Sequence, residues 1–161
     1  MPSAKIVINA SPLILLCNSD LEFILPELYE EIVVPAAVWQ EIASGSRVDE
    51  AAQKIPNLSW LTKVETALIP EIVRWDLGVG ETEVLSYAFQ NQSFIPVLDD
   101  MLAKKCAKAV SLPTLGTGSI LIAAKRKGLI DSVEKSLRKL KDKGLWISES
   151  VIQMLKAKAG E

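Results

Sequence analysis

Phe94-Ile95-Pro96-Val97-Leu98 runs straight into Asp99-Asp100. The apolar run reads as a short strand, and the two carboxylates fall at its carboxyl end. Open α/β sheets place their sites in the crevice outside the carboxyl ends of the strands. Just upstream, Gly78-Val79-Gly80 opens a helix whose first turn carries Glu81 and Glu83. Carboxylates gathered in one crevice repel each other unless a divalent cation joins them, so the pattern points towards a magnesium site.

Outward from this stretch, β-branched runs alternate with helical ones. Strands are expected over residues 5–8, 31–34, 60–64 and 94–98, with a last short one over 113–115. Ser11-Pro12 reads as cap and first residue of a helix to Leu16, a second helical piece covers 20–25, and Pro35 opens a helix to about Ser44. Residues 45–58 read as loops around one helical turn at Ala51. Further helices are expected over 81–90, 101–110, 119–127, 131–143 and 148–159, with Gly128 and Gly144 as stops. Alternating strands and helices make one α/β domain with a parallel sheet covered on both faces.

Composition narrows the chemistry. The chain has 161 residues, 49% of them hydrophobic, enough for one domain with a core. It contains no histidine, which excludes histidine triads and imidazole bases. With two distant cysteines, Cys17 and Cys106, most zinc sites are removed and none is expected; both read as buried, reduced thiols of a cytoplasmic protein. The apolar start is interrupted by Asn9, Ser11 and Pro12, unlike a signal peptide, and no run is long enough to span a membrane. Residues 1–100 carry 5 basic and 15 acidic side chains, whereas 101–161 carry 13 and 5. An acidic pocket beside a phosphate-holding surface would produce this split, but on charge alone solubilising lysines explain it better.

Helical spacing sorts the acids. Glu81 falls within the stripe of Val84, Leu85 and Ala88, so it should lean towards the sheet. Glu83 falls opposite, with Tyr87 and Gln90, and should face solvent. Glu41 shares a stripe with Ala37, Val38 and Ile42, where a carboxylate needs either a site or an ion pair. Of the aspartates, Asp99 is placed to be a metal ligand, and Asp100 to cap the next helix or support the site. Trp39, Trp60, Trp75 and Trp146 form no visible stacking platform, and packing is their expected role.

Taken together, the residues resemble the PIN-domain family of metal-dependent ribonucleases. The resemblance rests on Ile6-Val7-Ile8-Asn9-Ala10-Ser11-Pro12-Leu13-Ile14, Val34-Pro35-Ala36-Ala37-Val38-Trp39-Gln40-Glu41, Leu77-Gly78-Val79-Gly80-Glu81-Thr82-Glu83 and Val97-Leu98-Asp99-Asp100. Leu115-Gly116-Thr117-Gly118-Ser119 and Ala124-Lys125-Arg126-Lys127-Gly128-Leu129-Ile130 are similar to a prokaryotic branch catalogued as a domain of unknown function. The resemblance implies a three-layer α/β/α sandwich and cleavage of RNA with Mg²⁺ or Mn²⁺. It also implies the toxin half of a toxin–antitoxin pair, with a small antitoxin and a homodimeric state.

By position, Glu41, Glu81 and Asp99 match three acidic positions of the family, and Asn9, Glu81, Asp99 and Asp100 are the implied metal ligands. Most of the family carries aspartate where this chain has Asn9, an amide that can ligate but brings no charge. Asp100 or Glu83 is placed to restore that charge, and Ser11 offers a hydroxyl beside the site. Lys104, Lys105, Lys108, Lys125, Arg126 and Lys127 would grip RNA, so neutralising Lys125 and Lys127 should flatten the salt dependence of binding.

Two rivals stay open. Asn9 suits an inactive PIN-like module that binds RNA or a protein. Paired aspartates after a strand also suit a phosphoryl-accepting domain, although no lysine ends the following strand. Gly116-Thr117-Gly118 lacks the GxxxxGK of a nucleotide loop.

Overall fold

A computed structural model of the chain describes residues 4–44 and 49–161. The loop read over 45–48, and the first three residues of the apolar start, lie outside the described residues. Four strands, β1 (Ala4–Ile8), β2 (Tyr29–Pro35), β3 (Leu61–Val64) and β4 (Phe94–Val97), form a parallel sheet in the order β3-β2-β1-β4. Three consecutive residues of β1, Ile6, Val7 and Ile8, are fully buried. Successive strand residues point to opposite faces, so both faces are covered, as the sequence pattern requires.

The fifth strand expected over 113–115 is reduced to one parallel bridge between Val97 and Leu115. Leu115 donates to the Pro96 carbonyl at 3.0 Å, and Leu98 donates back to the Leu115 carbonyl at 3.1 Å. Pro96 and Pro113 have no N–H to extend that ladder. The bridge still brings residues 116–118 beside the end of β4.

The helices are α1 (Ala10–Asn18), α2 (Ile24–Leu28), α3 (Ala36–Ala43), α4 (Glu50–Lys54), α5 (Pro70–Val73), α6 (Val79–Gln90), α7 (Met101–Ala109), α8 (Thr117–Arg126), α9 (Val133–Asp142) and α10 (Glu149–Lys158). The short α5 was not expected from the sequence. Helix α6 packs on β1, β2 and β4 and against α3, burying Val84, Leu85 and Ala88. Helices α8, α9 and α10 pack on one another, and α2 joins α8 to β2. Gly128 and Gly144 follow α8 and α9 with φ of +79° and +116°, a conformation that favours glycine at a helix end. No helix among the described residues is long and apolar enough to cross a membrane.

Cys17 and Cys106 are fully buried, and burial raises both thiols, Cys17 to about 12 with Glu22 adding to the effect. Trp39, Trp60 and Trp75 pack against the core, whereas Trp146 is 98% exposed and has no part in the core of this chain. Helix α10 buries Ile152, sets Leu155 against Gly118 and leaves Val151 exposed.

The Glu161 carboxylate closes the start of α9. It accepts from Ser132 Oγ at 3.0 Å and from the backbone N–H groups of Val133 and Glu134, and pairs with Lys125 at 2.9 Å. Burial would raise its pKa, but Lys125 and these donors outweigh burial and hold it down at about 2. A depressed acid stabilises the fold above its unfolded value, and that contribution is lost as pH falls through the folded value. Glu161→Gln should therefore lower the melting temperature at pH 7, with the difference fading between about pH 4.5 and pH 2 in thermal melts.

Candidate active site

The sheet order reverses at β1. From there the chain builds outward to β2 and β3 on one side, and later to β4 on the other. The crevice at the carboxyl ends of β1 and β4 is therefore the topological switch point of the sheet. Asn9 follows β1 directly and donates its backbone N–H to Val97 at 3.0 Å; Asp99 and Asp100 follow β4. An open cavity of about 600 Å³ lies there, lined by Asn9, Ser11, Glu41, Glu81, Asp99 and Asp100. These side chains come from three helices or their flanks and two strand ends.

Each acid is positioned by a local cause. Asn9 precedes α1 as its cap residue, yet its side chain makes no capping bond. Its Oδ1 is instead buried without a hydrogen-bond partner. This corrects the sequence reading of Ser11 as cap: α1 starts earlier, and Ser11 is left exposed on the cavity wall. A buried carbonyl oxygen without a donor is costly unless something electropositive meets it.

Gly80 lets two further groups approach. A Cβ there would overlap the Glu41 carboxylate and stand 3.4 Å from Asn9 Oδ1 and 3.3 Å from Val38. Glu41 is exposed to the cavity, and no cation among the described residues pairs with it, so its ion-pair alternative is not realised. Gly80→Ala should therefore displace Glu41. Alanine favours the helix by about 1 kcal/mol, so thermal melts should show little loss of stability. Any activity that depends on Glu41 should fall roughly 10- to 100-fold in a rate assay.

Glu81 stands in the first turn of α6, half-buried. Burial raises its pKa most, the charges of Asp100 and Glu41 raise it further, and a backbone bond at Gly78 opposes them. An acid raised in this way destabilises the fold once pH passes its unfolded value. Glu81→Gln should accordingly raise the melting temperature of the metal-free protein at neutral pH, with no gain well below pH 4.5.

Asp99 is clamped by the start of α8. Thr117 donates its backbone N–H to one oxygen at 2.8 Å and its hydroxyl to the other at 2.6 Å. Gly116 keeps this approach open, since a Cβ there would lie 3.1 Å from Asp99 Oδ1 and 3.2 Å from Lys104 Nζ. Thr117 is a positioning residue that the sequence reading did not identify; its place between two glycines was the available signal. Asp100 caps α7 by accepting from Ala103 N–H at 2.9 Å, as read, while still lining the cavity. Glu83 differs from its reading. It accepts from Ala37 N–H at 2.9 Å, closing the start of α3 rather than facing solvent, and it does not line the cavity.

Among the described residues, no group of three or more His, Cys, Asp or Glu side chains is drawn together closely enough to hold a metal ion. The carboxylates line one cavity with no neutralising cation among them. By type, carboxylates and an unpartnered amide oxygen are the hard oxygen donors that suit a divalent cation, although they are not gathered into a closed ligand shell.

The basic residues divide. Lys104 adjoins the cavity, beside Asp99 and above Gly116. Lys105 and Lys108 are exposed on the same helix, α7. Lys125 is engaged by Glu161, and Lys127 donates to the Glu27 carbonyl. Together with exposed Arg126 they sit at the end of α8 away from Thr117, about 12 Å along the helix from Asp99's clamp.

No curated protein matches the chain. The model of the DUF3368 family, described as a PIN domain, matches residues 5–161. Members of that family are commonly nucleases and generally use divalent metal ions. With the match spanning nearly the whole sequence and a parallel sheet whose acids collect at its carboxyl edge, the chain belongs to the PIN-domain family.

Proposed function

We propose that the chain, as a single domain, is a metal-dependent ribonuclease that hydrolyses RNA phosphodiester bonds at the acidic cavity. One observation carries this reading: Asn9, Glu41, Glu81, Asp99 and Asp100, separated in sequence, line one cavity in which Asn9 Oδ1 lacks a partner. Asn9, Glu81, Asp99 and Asp100 would hold Mg²⁺ or Mn²⁺. When bound, such an ion polarises a phosphoryl oxygen and makes water a better nucleophile at neutral pH.

The chain's own groups divide the remaining work. Glu81, lining the cavity beside Asp100 and Glu41, is placed to accept a proton from the attacking water. Glu41, beside Gly80 and without a cation partner among the described residues, orients that water. Thr117 holds the Asp99 carboxylate in a fixed plane. Lys104, beside Asp99, offers a charge to the phosphate. Lys125 and Lys127, engaged elsewhere, are given no part in the grip.

The toxin role, with a small antitoxin, a homodimer and a cytoplasmic setting, rests on the likeness to toxin-type members of the family. Asn9 favours a second reading, an inactive module that retains binding, because its amide supplies no charge where most relatives carry aspartate. A mixed structured RNA incubated with the native protein tests the first reading. Cutting in Mg²⁺ or Mn²⁺ that stops in EDTA supports it. Cutting unchanged by EDTA, or binding without any cutting, overturns it.

A further inference from the structure

A second groove of about 410 Å³ opens from the acidic cavity and shares Asp99, Met101, Leu145 and Trp146 with it. Its character changes from acidic to basic. Lys104 and Lys158 line it, and Asp99 is its only carboxylate. Neither lysine is ion-paired among the described residues. Ser119 and Ser148 add hydroxyls to its walls. At the junction of the two cavities stands Trp146, 98% exposed, where burying an indole would ordinarily be favourable.

We propose that this groove is the track for the RNA strand next to the bond being cut, and that an unpaired base stacks on Trp146 while Lys104 and Lys158 take the flanking phosphates. The inference rests on the reading of the acidic cavity as an RNA-cleaving centre. Every base has a π face, so an aromatic ring beside paired cations binds single strands with little regard to sequence. A duplex cannot present an unstacked base, so the site selects unpaired nucleotides. Continuity with the acidic cavity places a strand held here within reach of Asp99 and Glu81. A protein partner would meet the same exposed Trp146, Met101 and Met154, but the two unpaired lysines match phosphate better than an apolar contact.

The test uses fluorescein-labelled oligouridine and the full chain, with anisotropy measured in EDTA so that no strand is cut. Native protein should bind the single strand more tightly than a duplex. Trp146→Ala should weaken binding roughly 5- to 150-fold, the range of one lost stack, and Trp146→Phe should restore most of it. Neutralising Lys104 and Lys158 together should reduce the salt slope by about 1.4. In Mn²⁺, Trp146→Ala should raise KM more than it lowers kcat.

Unchanged affinity and KM in Trp146→Ala, with Mn²⁺-dependent cutting intact, would overturn the track and leave the ribonuclease reading standing. A change in sedimentation of Trp146→Ala without any loss of RNA affinity would also overturn it, marking the ring as a protein contact. Failure of native protein both to bind and to cut RNA would remove both readings.

Discussion

Asp99→Asn is expected to abolish RNA cleavage while leaving the protein folded. The substitution keeps the shape of the side chain and one oxygen that can accept from Thr117 N–H, now held at 2.8 Å. Its new NH₂ group can donate to the Thr117 hydroxyl, which can accept as readily as it donates. The structural cost is the exchange of charge-assisted bonds for neutral ones, about 1 kcal/mol. The chemical cost is larger. One of the acids that make the cavity attractive to a divalent cation is lost, and a group stabilising charge in the transition state is commonly worth 10²- to 10³-fold in rate. The measurement pairs a cleavage rate in Mn²⁺ with a thermal melt. A rate reduced at least about 100-fold with a melting temperature within a few degrees of native is the expected result. Retained cleavage would remove Asp99 from the machinery.

Asn9→Asp should act in opposite directions on stability and on metal affinity. Position 9 is 9% exposed, and its side-chain oxygen already lacks a donor. A carboxylate there adds a buried charge close to Glu41 and Glu81. Without metal this should cost about 3 kcal/mol, roughly 6–12 °C in melting temperature for a chain of this size. With Mn²⁺ present the same charge becomes an additional ligand, so the ion should bind at least about tenfold tighter and restore the lost stability through linkage. Cleavage in Mn²⁺ should rise in proportion to occupancy. A native protein silent towards RNA beside a cutting Asn9→Asp would favour the inactive-module reading.

Parts of the fold were legible in the sequence, and parts were not. Strand β1 was legible because Ile6, Val7 and Ile8 form an unbroken β-branched run, the mark of a strand covered on both faces. Glu81 was legible because its own helix supplied the stripe. The start of α1 was misplaced because proline is tolerated throughout a helix's first turn, where N–H groups have no internal partner anyway, so Pro12 does not single out Ser11 as the cap.

Glu83 was misread for a different reason. Its partner, Ala37 N–H, lies 46 residues away on another helix, and no periodicity within α6 could indicate it. The pairing of Lys125 with Glu161, 36 residues further on, was equally out of reach of local pattern. Thr117 at Asp99 depends on the bridge that the end of β4 makes with Leu115. Local pattern revealed that Glu81 leans inward. Which polar groups are already engaged is a tertiary fact.

The central claim is that the acids at the carboxyl edge form one cation-binding centre. Titration of Mn²⁺ into metal-free protein by calorimetry, for the native chain and Glu81→Gln, tests it most directly. Saturable binding by the native protein is expected, with affinity reduced at least about tenfold in Glu81→Gln, whose fold should be the more stable of the two without metal. Equal affinity in both proteins, or no binding by the native chain, would contradict it.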